Sequence, residues 1–133
     1  MADYNKFYGF VEALAEKKHD LGADTIKVAL CNMAPVATNS VLADLTTVSV
    51  ANLSPLTPTR TSSNQTGGTY SLVLQDLTMT ASAAVGPFRY IVLYNDTATD
   101  DDLICWYDYG SDVTLNAGET FTLDFGATVL TLA

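Results

Sequence analysis

The sequence predicts an all-β domain, an antiparallel β-sandwich or partly open barrel of roughly seven to eight short strands with one N-terminal amphipathic α-helix. Three observations carry that expectation. Apolar residues follow a helical spacing over residues 4–18. From residue 24 the period falls to two, the alternation of a strand with one buried face. Turn-forming residues then interrupt the chain every ~8–12 residues, the rhythm of a sandwich. At 133 residues the chain suits a single domain, 1–133, with one core.

In the helix, Tyr4, Phe7, Tyr8, Val11, Leu14 and Ala15 recur at i, i+3, i+4 and i+7. Phe10 widens the apolar arc beyond what one seam against a sheet uses. Asp3 is placed to act as N-cap, and Lys17 and Lys18 suit the negative end of the helix dipole. His19 follows in a charged Lys-Lys-His-Asp run and reads as a solvated helix end. The helix is expected to cap an open end of the sheet core.

The β part spans 24–132. Ile26, Val28 and Leu30 fall on one strand face, Pro35 ends that strand, and Asn39 to Leu45 reads as one helical turn capped by Asn39 or Ser40. Residues 52–69 hold two prolines and the Gly67-Gly68 pair, and are expected to form a long loop, a candidate contact surface. Tyr70 to Gln75 and Leu77 to Ala81 follow as strands with Leu72, Leu74, Leu77 and Met79 inward. Phe88 to Tyr94 and Leu103 to Tyr109 are apolar on both faces, which marks central strands, and an acidic turn joins them as a hairpin. Asn116 to Glu119 is a turn, Thr120 to Phe125 alternates with its aromatics inward, and Thr128 to Leu132 is a last short strand.

Composition removes several functions. Six basic against fifteen acidic side chains leave a net charge of −9, with no Lys/Arg cluster to neutralise phosphates. Direct nucleic-acid binding and docking on an anionic membrane are therefore excluded. Hydrophobic residues make up 48% and charged ones only 16%, so the chain is globular rather than disordered, with a neutral polar surface. No stretch approaches the ~18 apolar residues of a membrane span. The first residues lack a basic segment followed by an apolar run, so the expectation is synthesis in a cytoplasm without export. Cys31 and Cys105 lie in strand-like segments and are read as buried free thiols.

Catalytic and metal patterns are thin. His19 is the only histidine, so it would have to serve any Ser-His-Asp site, and Cys31, Cys105 and His19 show no zinc-ligand spacing. Asp96, Asp100, Asp101 and Asp102 could offer oxygens to Ca²⁺, but they lack the glycine and distal Glu of an EF-hand and read as a solvated hairpin tip. Asp108 and Asp124, with Trp106 as a sugar platform, suggest a glycosidase pair on paper. Asp108 instead precedes Tyr109-Gly110-Ser111, where bonds to turn amides are the expected use. The expectation is a non-enzymatic protein without metal or cofactor.

The helix, then Asp24-Thr25-Ile26-Lys27-Val28-Ala29-Leu30, then Phe88 to Asp96, then Leu103-Ile104 to Asp108-Tyr109-Gly110 form an order that resembles small virion proteins of tailed bacteriophages. The likeness runs from about residue 4 to 132. It departs most at Ser54 to Thr69, where a Pro- and Thr-rich run replaces a compact Gly-Tyr turn and only Gly67-Gly68 is kept. The resemblance implies a head decoration (cement) protein that binds the outside of the mature capsid, bridges major capsid protein subunits and sits on the virion surface. It also implies a homo-oligomer, with a trimer favoured. The surplus apolar face of Tyr4, Phe7, Tyr8 and Phe10 and the loop residues Leu53, Pro55, Leu56 and Pro58 are the expected capsid contacts. Alternatives are a tail or fibre-associated virion protein, or a carbohydrate-binding β-sandwich module. The last needs Trp106, Tyr107 and Tyr109 on one surface, which alternation opposes.

Overall fold

The computed structural model describes residues 3–133. Among them are ten strands, one α-helix and the 3-10 turn Leu42–Asp44. In chain order these are β1 (Asp3–Lys6), α1 (Gly9–Ala15), β2 (Ile26–Cys31), β3 (Leu53–Ser54), β4 (Arg60–Thr66), β5 (Thr69–Leu74), β6 (Leu77–Ala81), β7 (Val85–Asn95), β8 (Leu103–Leu115), β9 (Thr120–Leu123) and β10 (Leu130–Leu132). They pair antiparallel into three small sheets, ordered β1-β8-β7-β2, β10-β5-β4 and β3-β6-β9. The chain is thus mostly β, with antiparallel sheets and one helix.

The N-terminal segment departs from a helix over 4–18. Residues 3–6 instead pair with β8, Asp3 opposite Asp108 and Lys6 opposite Cys105, and α1 keeps only seven residues. Tyr and Asn are weak helix formers, and the edge of β8 offers them a ladder that a helix end cannot match. Asp3 is therefore no N-cap; Tyr8 holds that position without a side-chain bond. At its other end α1 closes in a Schellman motif. The Lys17 amide donates to the Leu14 carbonyl (3.3 Å) and the Lys18 amide to the Ala13 carbonyl (2.8 Å), with Lys17 at φ 69°.

One apolar core touches all three sheets: Val28, Ile91 and Tyr107 from the first, Leu72, Leu74 and Leu130 from the second, Met79, Phe121 and Leu123 from the third. Leu72, Leu74, Leu77 and Met79 point inward as their alternation predicts. Phe10 of α1 enters the same core. A smaller cluster of Phe7, Ala29, Cys31, Val92 and Leu103 lies apart from it, with Leu42, Leu45 and Trp106 packed on it. β2 is therefore buried on both faces rather than one. Leu93 pairs with Cys105 while Tyr94 pairs with Leu103, so Ile104 is an extra residue in β8. That bulge lets Ile104 and Cys105 both reach the main core while Leu103 serves the smaller cluster.

Residues 52–69 are not one long loop, because they contain β3 and β4. Gly67 and Gly68, at φ 60° and 88°, form the two-residue turn that joins β4 to β5, with Thr66 opposite Thr69. Only residues that tolerate positive φ at both central positions make such a turn. The turn expected at Asn39 to Leu45 is present but capped from its far end. The Asp44 carboxylate accepts from the Ser40 and Val41 amides at 2.9 and 3.2 Å, which holds its carboxyl below the ordinary 3.8.

Candidate interaction surface

The eight residues expected to touch a partner do not share one surface. Phe7, Phe10, Leu53 and Pro58 are buried, and Leu56 is half-buried against the main core. A side chain enclosed by its own fold cannot meet a partner without unfolding, so those four are corrected to interior positions. The cause at the N-terminus is β1, which turns Phe7 onto the Trp106 ring at 4.6 Å. Tyr4, Tyr8 and Pro55 remain at the surface.

An apolar rim survives around α1. Tyr8 is 64% exposed and Val11, three residues on, 47%. The Tyr8 amide donates to the Ala37 carbonyl at 2.8 Å, which brings Val36, 59% exposed, to the same end of the helix. Tyr4, Val11 and Leu132 line a groove of about 350 Å³ between β1, α1 and β10, with Lys6 as its only charged side chain. The sequence missed Val36 because an isolated valine after a proline carries no periodic signal.

His19 is the largest surprise beside this rim. It is buried and packed at a tilt against Phe10 (5.3 Å between ring centres) rather than solvated. Its Nδ1 faces the Asn95 amide Nδ2 at 3.0 Å, and the same Nδ2 donates to Asp24 Oδ2 at 2.7 Å. Asn95 Oδ1 accepts from the Thr97 and Ala98 amides at 2.9 and 3.1 Å. Asn95, fully buried, so ties the segment after α1 to the β7–β8 turn. Burial pushes the His19 pKa below its ordinary 6.5, with Asp102 and Asp24 pulling the other way. His19 and Thr97 also border a cavity of about 740 Å³, walled by Leu14, Leu21, Tyr70 and Leu132.

The acidic turn is less solvated than expected. Asp96 pairs with Lys27 at 3.3 Å, and Asp102 is buried, pinned where the Leu42 amide donates to the Asp101 carbonyl and the Leu103 amide to the Ser40 carbonyl. Among the described residues no group of three or more His, Cys, Asp or Glu is placed to hold a metal ion. Asp108 accepts from Arg89 Nε at 2.9 Å and from the Gly110 amide at 2.8 Å. The Arg89 bond above all holds its carboxyl below the ordinary range. Asp124 accepts from the Gly126 amide at 2.7 Å, the other half of the paper glycosidase pair. Trp106 packs on Phe7 while Tyr107 lies in the main core, so the two rings do not form a shared sugar platform. Cys31 and Cys105 are both buried free thiols, and burial pushes Cys31 up to about 11.

No family model, curated protein or solved structure matches this chain. Among the described residues no helix is long and apolar enough to cross a membrane.

Proposed function

We propose that this protein is a non-enzymatic decoration (cement) protein of a tailed-bacteriophage head, binding the outside of the mature shell and bridging major capsid protein subunits. The observation that carries the reading is the exposed apolar rim of Tyr4, Tyr8, Val11 and Val36 around the helix. Aromatic and aliphatic side chains held out of the core are what a protein partner buries. The resemblance of the strand segments to virion proteins supplies the kind of partner. The three sheets around one core are read as a β-sandwich capped by α1, which would present the rim at one end. Binding only the assembled lattice adds free energy to the assembled state by linkage, and oligomers would multiply each contact by avidity.

The rim is tested by a Tyr8→Ser/Val11→Ser variant added to purified particles lacking the protein. Both side chains are surface residues, so the variant should fold, as circular dichroism would verify. Occupancy at a fixed concentration should require about tenfold more protein or worse, the scale of losing an aromatic anchor. Undiminished occupancy of the folded variant would reject this surface as the capsid contact.

A further inference from the structure

We propose that His19, Asn95 and Asp24 form a proton-sensitive latch, which fastens the segment between α1 and β2 to the β7–β8 turn and opens when His19 takes up a proton. The polarity of the joint is fixed by its neighbours. Asn95 Oδ1 is held by two backbone N–H groups, Thr97 and Ala98, and Nδ2 also donates to the Asp24 carboxylate. Flipping the amide would lose all three bonds, so the atom that faces His19 Nδ1 is a donor. Nδ1 must then be the acceptor, and the neutral ring carries its proton on Nε2. Nε2 is itself buried and has no partner among the described residues. A cationic ring would therefore bury two N–H groups, one aimed at another donor and one without an acceptor.

The surrounding charges are mixed. Asp24, two residues before β2, and Asp102, just before β8, favour the cation; Lys18 opposes it, and burial outweighs both carboxylates. Lys17 and Asp20 line the same cavity, and the Phe10 ring packs on the imidazole at a tilt. The latch sits beside several other ties in the same region. The Thr25 amide donates to Thr97 Oγ1 at 2.8 Å, the Asp96 amide to the Thr25 carbonyl at 2.9 Å, and the Asp20 amide to Asp24 Oδ2 at 2.9 Å. Releasing Asn95 frees both walls of the 740 Å³ cavity at His19 and Thr97. The strands of the β7–β8 ladder have their own backbone pairing and need not move.

The test is hydrogen exchange of the intact chain from pH 7.5 to 5, corrected for intrinsic rates, together with an NMR titration of His19. With one histidine in the sequence its signals are unambiguous. Neutral His19 should show the Nε2–H tautomer and titrate below 6.5. Protection of the Asp20, Thr25, Thr97 and Ala98 amides should fall by up to about tenfold per pH unit below ~6.5, while Ile91 and Val92 keep theirs. In His19→Gln, which removes the titrating ring, the same amides should lose this pH dependence. A ring that titrates at or above 6.5, an Nδ1–H tautomer, or protection at those four amides that does not change with pH would each overturn the latch. The wild-type titration decides the matter even where the variant folds poorly.

Discussion

The Asn95 side chain makes four hydrogen bonds, those to His19 and Asp24 joining distant parts of the chain, and its replacement should show it. Asn95→Ala removes an acceptor from two amides and a donor from Asp24 and His19, leaving buried groups unpaired. The expected loss is about 3 kcal/mol, read as a lower urea midpoint with an unchanged slope. His19 adds a pH dependence to global stability with a definite sign. Its folded pKa lies below the unfolded 6.5, so the unfolded chain binds the extra proton first. Stability from this group is complete above 6.5 and is lost as pH falls toward the folded value. Urea melts at pH 7.5 and 5.5 should differ in that direction, and the difference should vanish in His19→Gln. Neither residue could be identified from sequence. Histidine in a Lys-Lys-His-Asp run reads as solvated, and only the fold brings Asn95, 76 positions later, against it.

Among the elements, legibility followed the strength of the local pattern. Residues 70–81 and 120–125 alternate cleanly, and β5, β6 and β9 stand where that alternation puts them. The β7–β8 hairpin was also legible, since two long apolar runs flank one polar turn. The failures are those where tertiary pairing overrode a local signal. Tyr4 and Phe7 fit a helix wheel, but β8 had an unpaired edge and drew residues 3–6 into a strand, which sent Phe7 and Phe10 inward. The Gly67-Gly68 pair was a hairpin signal hidden by the prolines before it. A further glycine is fixed by contact rather than by pattern. Gly86 sits at φ 106°, and a Cβ there would lie 2.6 Å from the Val113 carbonyl oxygen. Gly86→Ala should therefore cost about 2 kcal/mol or more, because the atom in the way is backbone of the paired strand and the new residue is strained at that φ. Thermal unfolding of the variant checks this; an unchanged midpoint would mean that β7 and β8 separate easily there.

For the whole molecule, the charge of −9, the neutral Thr-rich surface and the apolar rim belong together. Net negative charge discourages contact with DNA, while a localised rim permits one specific contact. Half of the residues first expected at that contact lie inside the fold, and the proposed contact moves to the exposed Tyr4, Tyr8, Val11 and Val36. That shift also changes how the role is probed. Removing residues 2–10 would delete β1, Phe7 and Phe10 and would test folding rather than binding.

The most direct measurement is cryo-electron microscopy of purified virions from the source, with copy number set by quantitative mass spectrometry. Decoration predicts density for this fold repeated over the outer shell, in numbers that scale with the major capsid protein, with Tyr8 and Val11 against it. A handful of copies confined to the tail, or none on the particle, would contradict it.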